Sequence, residues 1–504
     1  MLSLSVLVPV YNEQHLVAAS LERLAVLATS PLLERLQVVV VDDCSTDRTP
    51  EVLAALRARR EAEAAAPGGA GARTEWRFLR HERNRGKGAA IQTALREATG
   101  TVSVIHDADL EYHPVDLLRF LPLFEEEGAD AVFGSRFAGG AARRALLFRH
   151  ELGNRLLTFL TNWVTNVNLT DMETCYKAVR TDLLRSIPLV SNDFRLEPEL
   201  TIKLAKREAR IFEVPIRYSG RTYQEGKKID WRDGVRALLA ILRFWWSDEV
   251  YAADEHGSQI LGRLARAPRF NAWMADVVRP HVGQRVLEIG AGTGNLTRRL
   301  VPRERYVASD VNPLYLQTLR SLIADRPYLG VAFTDLTRAE TFPAPAGSFD
   351  TVVCLNVLEH VEDDVGALAN VRAALAPGGR AIVLVPQGPA LMGTLDEVLG
   401  HRRRYTPATL RAAAAAAGLE VRDLLGFNRV GTPAWWLNGK VLGRRGFGLL
   451  QILTLNALTP IFRRVDRALP FPALSLIAVL ERPADAAIAA GLPGGGLSAA
   501  AAAG

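Results

Sequence analysis

Twice along this chain, short apolar runs rich in β-branched residues alternate with segments of helical length, and the series restarts near the middle. In the first half the strand candidates are Leu4–Val10, Val38–Val41, Arg77–Leu79, Thr101–His106 and Ala131–Phe133. In the second half they are Arg285–Ile289, Tyr306–Ser309, Val331–Phe333, Asp350–Leu355, Ala381–Val385 and Leu474–Leu480. Such alternation predicts parallel α/β sheets. Two series predict two sheets, and the 504 residues agree, since one hydrophobic core stops growing at roughly 250–300 residues.

After Trp245 and Trp246 the stretch Ser247–Gly257 turns polar and acidic, which places a linker there. The expected organisation is a first domain over 1–246, a linker over 247–269 and a second domain over 270–484. An Ala- and Gly-rich tail over 485–504 is expected to be disordered, and Ala62–Ala72 reads as a low-complexity loop insertion. With 48% hydrophobic and 23% charged residues the chain is of globular type, neither collagen-like nor disordered.

The formal charge of +6 is small for this length. Local clusters such as Arg402–Arg404 and Lys227–Lys228 suit phosphates or an anionic membrane surface. No motif for nucleic acid accompanies them. The three cysteines, Cys44, Cys175 and Cys354, lack paired spacing, which argues against a disulfide framework or thiolate zinc site and for a reducing, cytoplasmic setting. Leu2–Val10 reads as a first strand rather than a signal peptide. No uninterrupted apolar run reaches bilayer-spanning length. Val235–Trp246 and Phe447–Phe462 are amphipathic, and either lie in an interface or pack against their own domains.

The first acidic cluster follows an apolar strand: Asp107, Asp109 and Glu111 stand together just after His106. Carboxylates so close repel one another, and a Mg²⁺ or Mn²⁺ ion shared with a diphosphate relieves this. Alone, the pair also fits strand-end capping. Other strands end in acidic residues too, at Tyr11–Glu13 and Asp42–Asp47, and the Gly-rich stretch Asn84–Gly88 opens a helix where backbone N–H groups and Lys87 can meet phosphates.

In this order, Val8–Glu13, Val41–Thr49, Asn84–Ala90, Asp107–Pro114 and Phe133–Phe137 resemble family 2 glycosyltransferases of the GT-A nucleotide-sugar-binding fold, closest to the dolichyl- and polyprenyl-phosphate sugar synthases. The resemblance covers Leu2–Trp245. It implies a UDP- or GDP-linked sugar donor held by Pro9, Tyr11, Glu13, Asp42, Asp43 and Lys87, with Asp107, Asp109 and Glu111 on the metal. Arg136, Arg149 or His150, Arg221 and Lys227 would face phosphates. Glu197 and Glu199, with Asp171 and Glu173, fall where this family places its acceptor site, and Tyr223–Lys228 would close over it. If the acceptor is a hydroxyl, one of these carboxylates must take its proton; a lipid phosphate needs no strong base. The chemistry implied is inverting displacement at the anomeric carbon.

In the second half a strand runs through Glu288 into Gly290, Gly292 and Gly294, glycines that let the backbone approach a ligand closely. Asp310 ends the next strand, a place where an acidic residue binds ribose hydroxyls. With Asp335, Phe349–Cys354 and Ala376–Arg380 in order, the stretch Phe270–Pro483 resembles Rossmann-like class I methyltransferases. The resemblance implies S-adenosylmethionine with its methionine end on Glu288–Gly294, its ribose on Asp310 and its adenine near Asp335. Asn356 and His360 follow the fourth strand, with His360 as a general-base candidate. Asp396 and His401–Tyr405 read as an acceptor lid.

The expected activity is therefore bifunctional: sugar transfer to a polyprenyl phosphate or a cell-envelope glycan, and methylation of a related product. The alternatives are transfer to a sugar hydroxyl in polysaccharide assembly, or a nucleotide-sugar-binding scaffold with one inactive domain. The setting expected is cytoplasmic, with peripheral attachment at the inner face of the membrane.

Overall fold

The computed structural model describes residues 2–65, 73–140, 144, 148–220, 231–247, 267–320, 322–323, 326–444, 446 and 448–484. Arg221, Lys227, the rest of Tyr223–Lys228, most of the linker, and residues 66–72 and 485–504 lie outside them. The chain divides into two compact units, Met1–Asp254 and Glu255–Gly504.

The first unit is built on seven strands: β1 (Leu2–Val10), β2 (Leu33–Asp42), β3 (Thr74–Arg80), β4 (Val102–Ile105), β5 (Ala131–Ser135), β6 (Lys177–Arg180) and β7 (Ile211–Pro215). Their order across the sheet is β3-β2-β1-β4-β6-β5-β7. Val38, Val39, Val40 and Val41 are all fully buried, as a central strand covered on both faces requires. β1, β2 and β3 run parallel with Val10, Asp42 and Arg80 in register. The acidic segments thus emerge along one edge.

Two expectations change here. The sheet is mixed, because β6 runs antiparallel to both β4 and β5, and β6 and β7 were not legible as strands. Lys177 and Arg180 begin and end β6, so its four residues carry no apolar alternation.

The second unit repeats the plan with β8 (Arg285–Ile289), β9 (Arg305–Asp310), β10 (Leu329–Phe333), β11 (Phe349–Leu355), β12 (Leu375–Pro386), β13 (Glu420–Phe427) and β14 (Ser475–Glu481). The order is β10-β9-β8-β11-β12-β14-β13, with β14 antiparallel to its two neighbours. A dinucleotide-binding sheet has the order 3-2-1-4-5-6; here the last strand in sequence inserts, reversed, between the fifth and sixth. β13 escaped the sequence reading because it is an edge strand with charged Glu420, Arg422 and Asp423. The helix Pro268–Val278 buries Trp273, Ala275 and Val278 in this unit's core, so its first element starts two residues before the expected boundary.

Both helices of uncertain placement prove to have two faces. In Trp231–Trp246, Ala237, Ala240, Ile241 and Phe244 pack on Leu157, Met172 and Ile202, while Leu239 (60%) and Trp246 (61%) are exposed. The nearby helix Phe148–Thr165 leaves Trp163 77% exposed. The helix Leu449–Val465 covers Ile452 yet exposes Leu450 and Ile461. Among the described residues no helix is long and apolar enough to cross a membrane.

Candidate active sites

At the carboxyl edge of the first sheet, β4 delivers His106 and Asp107 into a buried chain of alternating charge. Lys87 Nζ lies 2.9 Å from Asp107 Oδ2 and 3.2 Å from Glu197 Oε1. The other oxygen of Glu197 meets Lys177 Nζ, which also donates to the carbonyls of Met172 (2.8 Å) and Thr174 (3.0 Å). Burial pushes the Asp107 carboxyl up, but the Lys87 ammonium more than offsets this and holds it below the usual range. Lys87 is raised in turn: burial pulls it down, and the charges of Asp107 and Glu197 together outweigh that. His106 contributes no charge. Burial takes its pKa down to about 4, and its nitrogens meet Ser20 Oγ and Tyr176 Oη at 3.0 Å each.

The expected three-carboxylate metal site is not assembled. Asp107 and Asp109 stand at the edge, but Glu111 Oε2 accepts from the Tyr218 hydroxyl at 2.7 Å. Glu111 is thereby turned toward Tyr218, whose ring also lies under the Arg136 guanidinium at 5.2 Å. Two carboxylates still suit Mg²⁺ or Mn²⁺, which binds through one or two of them plus phosphate oxygens.

Several expected phosphate and acceptor contacts are likewise taken by the protein. Arg136 is buried in a two-pronged pair with Asp171, both bonds 2.7 Å, a geometry that uses the flat guanidinium fully. The glycines after Asn84 serve packing: a Cβ on Gly86 would come within 2.3 Å of the Asn192 carbonyl oxygen, and one on Gly88 within 2.2 Å of that of Ser191. Asp43 accepts from Gly86 N at 2.6 Å, Arg85 N at 2.9 Å and His81 Nδ1 at 2.6 Å, while Gly88 N donates to Asn192 O. This helix entrance is therefore closed on itself rather than open to phosphate. Glu199 is also structural, its oxygens accepting from Val190 N and Ser191 N at 2.8 Å and from Lys203 Nζ at 2.6 Å.

The other expected donor contacts differ in exposure, with Asp42 buried and Tyr11 open. Tyr11 is 40% exposed just past β1. Pro9 pairs with Val41 in the sheet, and Glu13 follows Asn12, whose amide bonds Thr46. Asp42 Oδ1 accepts from Ser45 N, and its Oδ2 lies 3.2 Å from Arg80 without hydrogen-bond geometry. Arg149 and His150 sit in the first turn of Phe148–Thr165. One residue of the acceptor segment stands apart in a way the sequence did not show. Glu173 Oε1 is buried with no hydrogen-bond partner, and burial pushes its carboxyl up to about 7.

In the second unit Gly290, Gly292 and Gly294 all have positive φ, of 74°, 55° and 80°, which other residues adopt only with strain. A Cβ on Gly290 would lie 2.2 Å from Val357 Cγ2. Asp310 ends β9 beside this turn and accepts from Gly292 N and Asn312 N, both 2.9 Å. Glu288 Oε2 accepts from the hydroxyls of Thr297 (2.5 Å) and Tyr306 (2.9 Å), and burial without a cation pushes its carboxyl up to about 7. Asp335 caps its own turn through Thr337 N and Oγ1. Asn356, with φ 55°, stands exposed past β11. His360 Nδ1 lies 3.1 Å from the Gly400 carbonyl oxygen; it must donate there, which makes Nε2 the basic nitrogen.

The expected acceptor lid is corrected. Asp396 is fully buried and accepts from His401 Nδ1 and Arg404 Nε at 2.8 Å and from Trp435 Nε1 at 3.2 Å. Arg402 pairs with Glu362 and Arg403 with Asp364. A buried carboxylate demands such donors, so the basic run is a fold-holding knot.

Residues 5–187 match the family model "Glycosyl transferase family 2", and residues 287–381 match "Methyltransferase domain". The chain thus carries two α/β transferase domains, a family 2 glycosyltransferase followed by a methyltransferase. An undecaprenyl-phosphate 4-deoxy-4-formamido-L-arabinose transferase of Yersinia enterocolitica is 27% identical over 215 residues, 40% of this chain and 60% of that protein. A Yersinia pestis protein of the same name matches equally. The chain therefore spans about 60% of the length of these curated relatives. Among solved structures, an S-adenosylmethionine dependent methyltransferase from Mesorhizobium loti is 17% identical with a TM-score of 0.32, covering 44% of this chain and all of that one.

Proposed function

Given two transferase domains on one chain, we propose that the first transfers a sugar from a nucleotide-sugar to a polyprenyl phosphate with inversion, and that the second uses S-adenosylmethionine to methylate a related product. The observation that carries the first half is the charge chain Asp107–Lys87–Glu197–Lys177 at the carboxyl end of β4, of which Lys87, Asp107 and Lys177 fall within the family 2 match. Asp107 and Asp109 would hold Mg²⁺ or Mn²⁺, which would supply positive charge to the departing diphosphate. Lys87 fixes the Asp107 carboxylate in its ionised form. An acceptor phosphate oxygen attacks the anomeric carbon from the face opposite the nucleotide, the bond to the diphosphate breaks, and no base is required.

The name of the Yersinia relatives supports a lipid-phosphate acceptor, and so does the exposed apolar face of Trp231–Trp246. Leu239, Leu242 and Trp246 there are flanked by Arg236 and Arg243, a composition suited to an anionic lipid surface. Such attachment would be peripheral, at the cytoplasmic face. Glu173 favours a second reading. A carboxyl whose Oε1 has no hydrogen-bond partner and which burial pushes up to about 7 is matched to removing a proton from a sugar hydroxyl.

For the second unit, Glu288, held by two hydroxyls and no cation, suits a ligand that brings positive charge, as the methionine end of S-adenosylmethionine does. Asp310 would take the ribose, and Gly290–Gly294 would let the backbone close on the cofactor. S-adenosylmethionine would supply the methyl group, its carbon–sulfur pair staying on sulfur, and His360 Nε2 would take the acceptor's proton. Mass spectrometry of the full chain's products from nucleotide-sugar mixtures, divalent metal, polyprenyl phosphate and labelled S-adenosylmethionine tests the whole reading. A hexose-sized gain on the lipid is expected; gain only on a glycan favours the hydroxyl reading, and no gain on either refutes sugar transfer.

A further inference from the structure

Just past β11, the short turn Leu358–His360 brings a carboxylate and an imidazole against His401. One ligand atom of each of Glu359, His360 and His401 lies within 4.8 Å of the others, the one such group of three among the described residues. Glu359 is fully buried, and neither of its oxygens has a hydrogen-bond partner. Burial pushes its carboxyl up to about 8. Neither oxygen accepts a hydrogen bond from another described residue. Such an orphan is expensive in a protein interior.

The two histidines are oriented from behind. His401 Nδ1 meets the buried Asp396 carboxylate at 2.8 Å and His360 Nδ1 meets the Gly400 carbonyl at 3.1 Å. Both partners can only accept, so each ring carries its hydrogen on Nδ1 and its lone pair on Nε2 when neutral. His401 Nε2 is the atom 3.8 Å from Glu359 Oε1. Metal-binding histidines show this arrangement, with a carboxylate or carbonyl holding the far nitrogen. Asp396 is itself fixed by Arg404 and Trp435, so His401 is backed by a rigid support.

We propose that Glu359, His360 and His401 form a binding site for a divalent transition-metal ion. Two imidazoles and one carboxylate suit Zn²⁺, and a three-ligand set leaves a position open. Resting on the methyltransferase reading above, the open position would take an oxygen of the methyl acceptor and ease loss of its proton. The hydroxyl proton passes to water, the oxygen forms a bond to the methyl carbon, and the carbon–sulfur bond breaks with its electron pair on sulfur. The ion would use the lone pair on His360 Nε2 that a general base would use, so it replaces that role.

The test counts ions in the full chain, stripped with a chelator, loaded with Zn²⁺ and freed of excess. Wild type is expected to hold one more ion than Glu359→Gln, His401→Asn or His360→Gln. His401→Asn keeps an amide toward Asp396, and His360 is exposed, so these variants guard against unfolding, with circular dichroism as the check. Equal ion content in wild type and a folded variant would overturn the site. Methylation unaffected by removing Zn²⁺ from a chain that binds it would overturn the acceptor role alone, whereas no methylation with or without Zn²⁺ would refute the methyltransferase reading instead.

Discussion

The two carboxyl edges treat their acidic residues in opposite ways. In the first unit Glu197 is buried between Lys87 and Lys177, and the half-buried Asp107 pairs with Lys87, so the charges are balanced within the protein. In the second, among the described residues, Glu288 accepts from two hydroxyls and Glu359 from no other side chain or backbone, and burial pushes both carboxyls up, to about 7 and about 8. The first edge is organised in advance of its ligand. Among the described residues the second pairs neither of these two carboxyls with a lysine or arginine at hydrogen-bond distance.

Breaking the balance should therefore cost most in the first unit. Lys87→Met leaves Asp107 and Glu197 short of their shared cation and should destabilise that unit by about 3–5 kcal/mol, the range for breaking a buried pair. Denaturant unfolding reads this, and a loss under about 1 kcal/mol, the range of an exposed pair, would remove the contrast between the edges. Next is Gly290→Ala. With φ at 74° and Val357 Cγ2 2.2 Å from the added Cβ, it should cost about 1–3 kcal/mol in strain and weaken S-adenosylmethionine binding, measured by calorimetry, while sparing nucleotide-sugar binding.

The pH dependence of the second unit sharpens the same point. Glu288 has a folded pKa of about 7, above its reference of 4.5, so the folded form holds its proton longer than the unfolded chain. Its contribution to stability is fully present below 4.5 and is lost as pH rises through about 7. Glu288→Gln should flatten that part of the pH–stability curve by up to about 1.4 kcal/mol per pH unit, the slope for one proton. An unchanged curve would mean that Glu288 is already compensated. The smallest effect is expected at Glu173. If the acceptor is a phosphate, Glu173→Gln should leave the rate of sugar transfer within a few fold and its pH profile unaltered. A fall of about 10²-fold or more, the size of a general-base contribution, together with loss of an inflection near pH 7, would establish the hydroxyl reading.

The sequence made the edges legible because β-branched runs ending in acidic residues or glycines state both the strand and its functional end. Most of the strands were located; β6, β7 and β13 were not. What it did not show were pairings created by tertiary contact. Asp43 and Gly86 are far apart in sequence, so nothing local announces that one holds the other's amide. Glu173, Glu197 and Glu199 are the same residue type in one region, yet one is without a partner at Oε1, one bridges two lysines and one braces a loop. Their tertiary partners separate them. The arginines of 402–404 looked like a ligand site for the same reason: their protein partners Glu362, Asp364 and Asp396 lie elsewhere in the chain.

The central claim is that one chain carries two independent transferase sites. Its most direct test follows both mass gains, from sugar and from labelled methyl, on products of wild type, Asp107→Asn/Asp109→Asn and Gly290→Ala full-length chains. The aspartate variant should lose sugar transfer by about 10³-fold, the scale for removing electrostatic stabilisation of a leaving group, and still methylate a pre-glycosylated acceptor; the glycine variant should do the reverse. Sugar transfer unchanged in the aspartate variant, or both activities falling together in either folded variant, would contradict it.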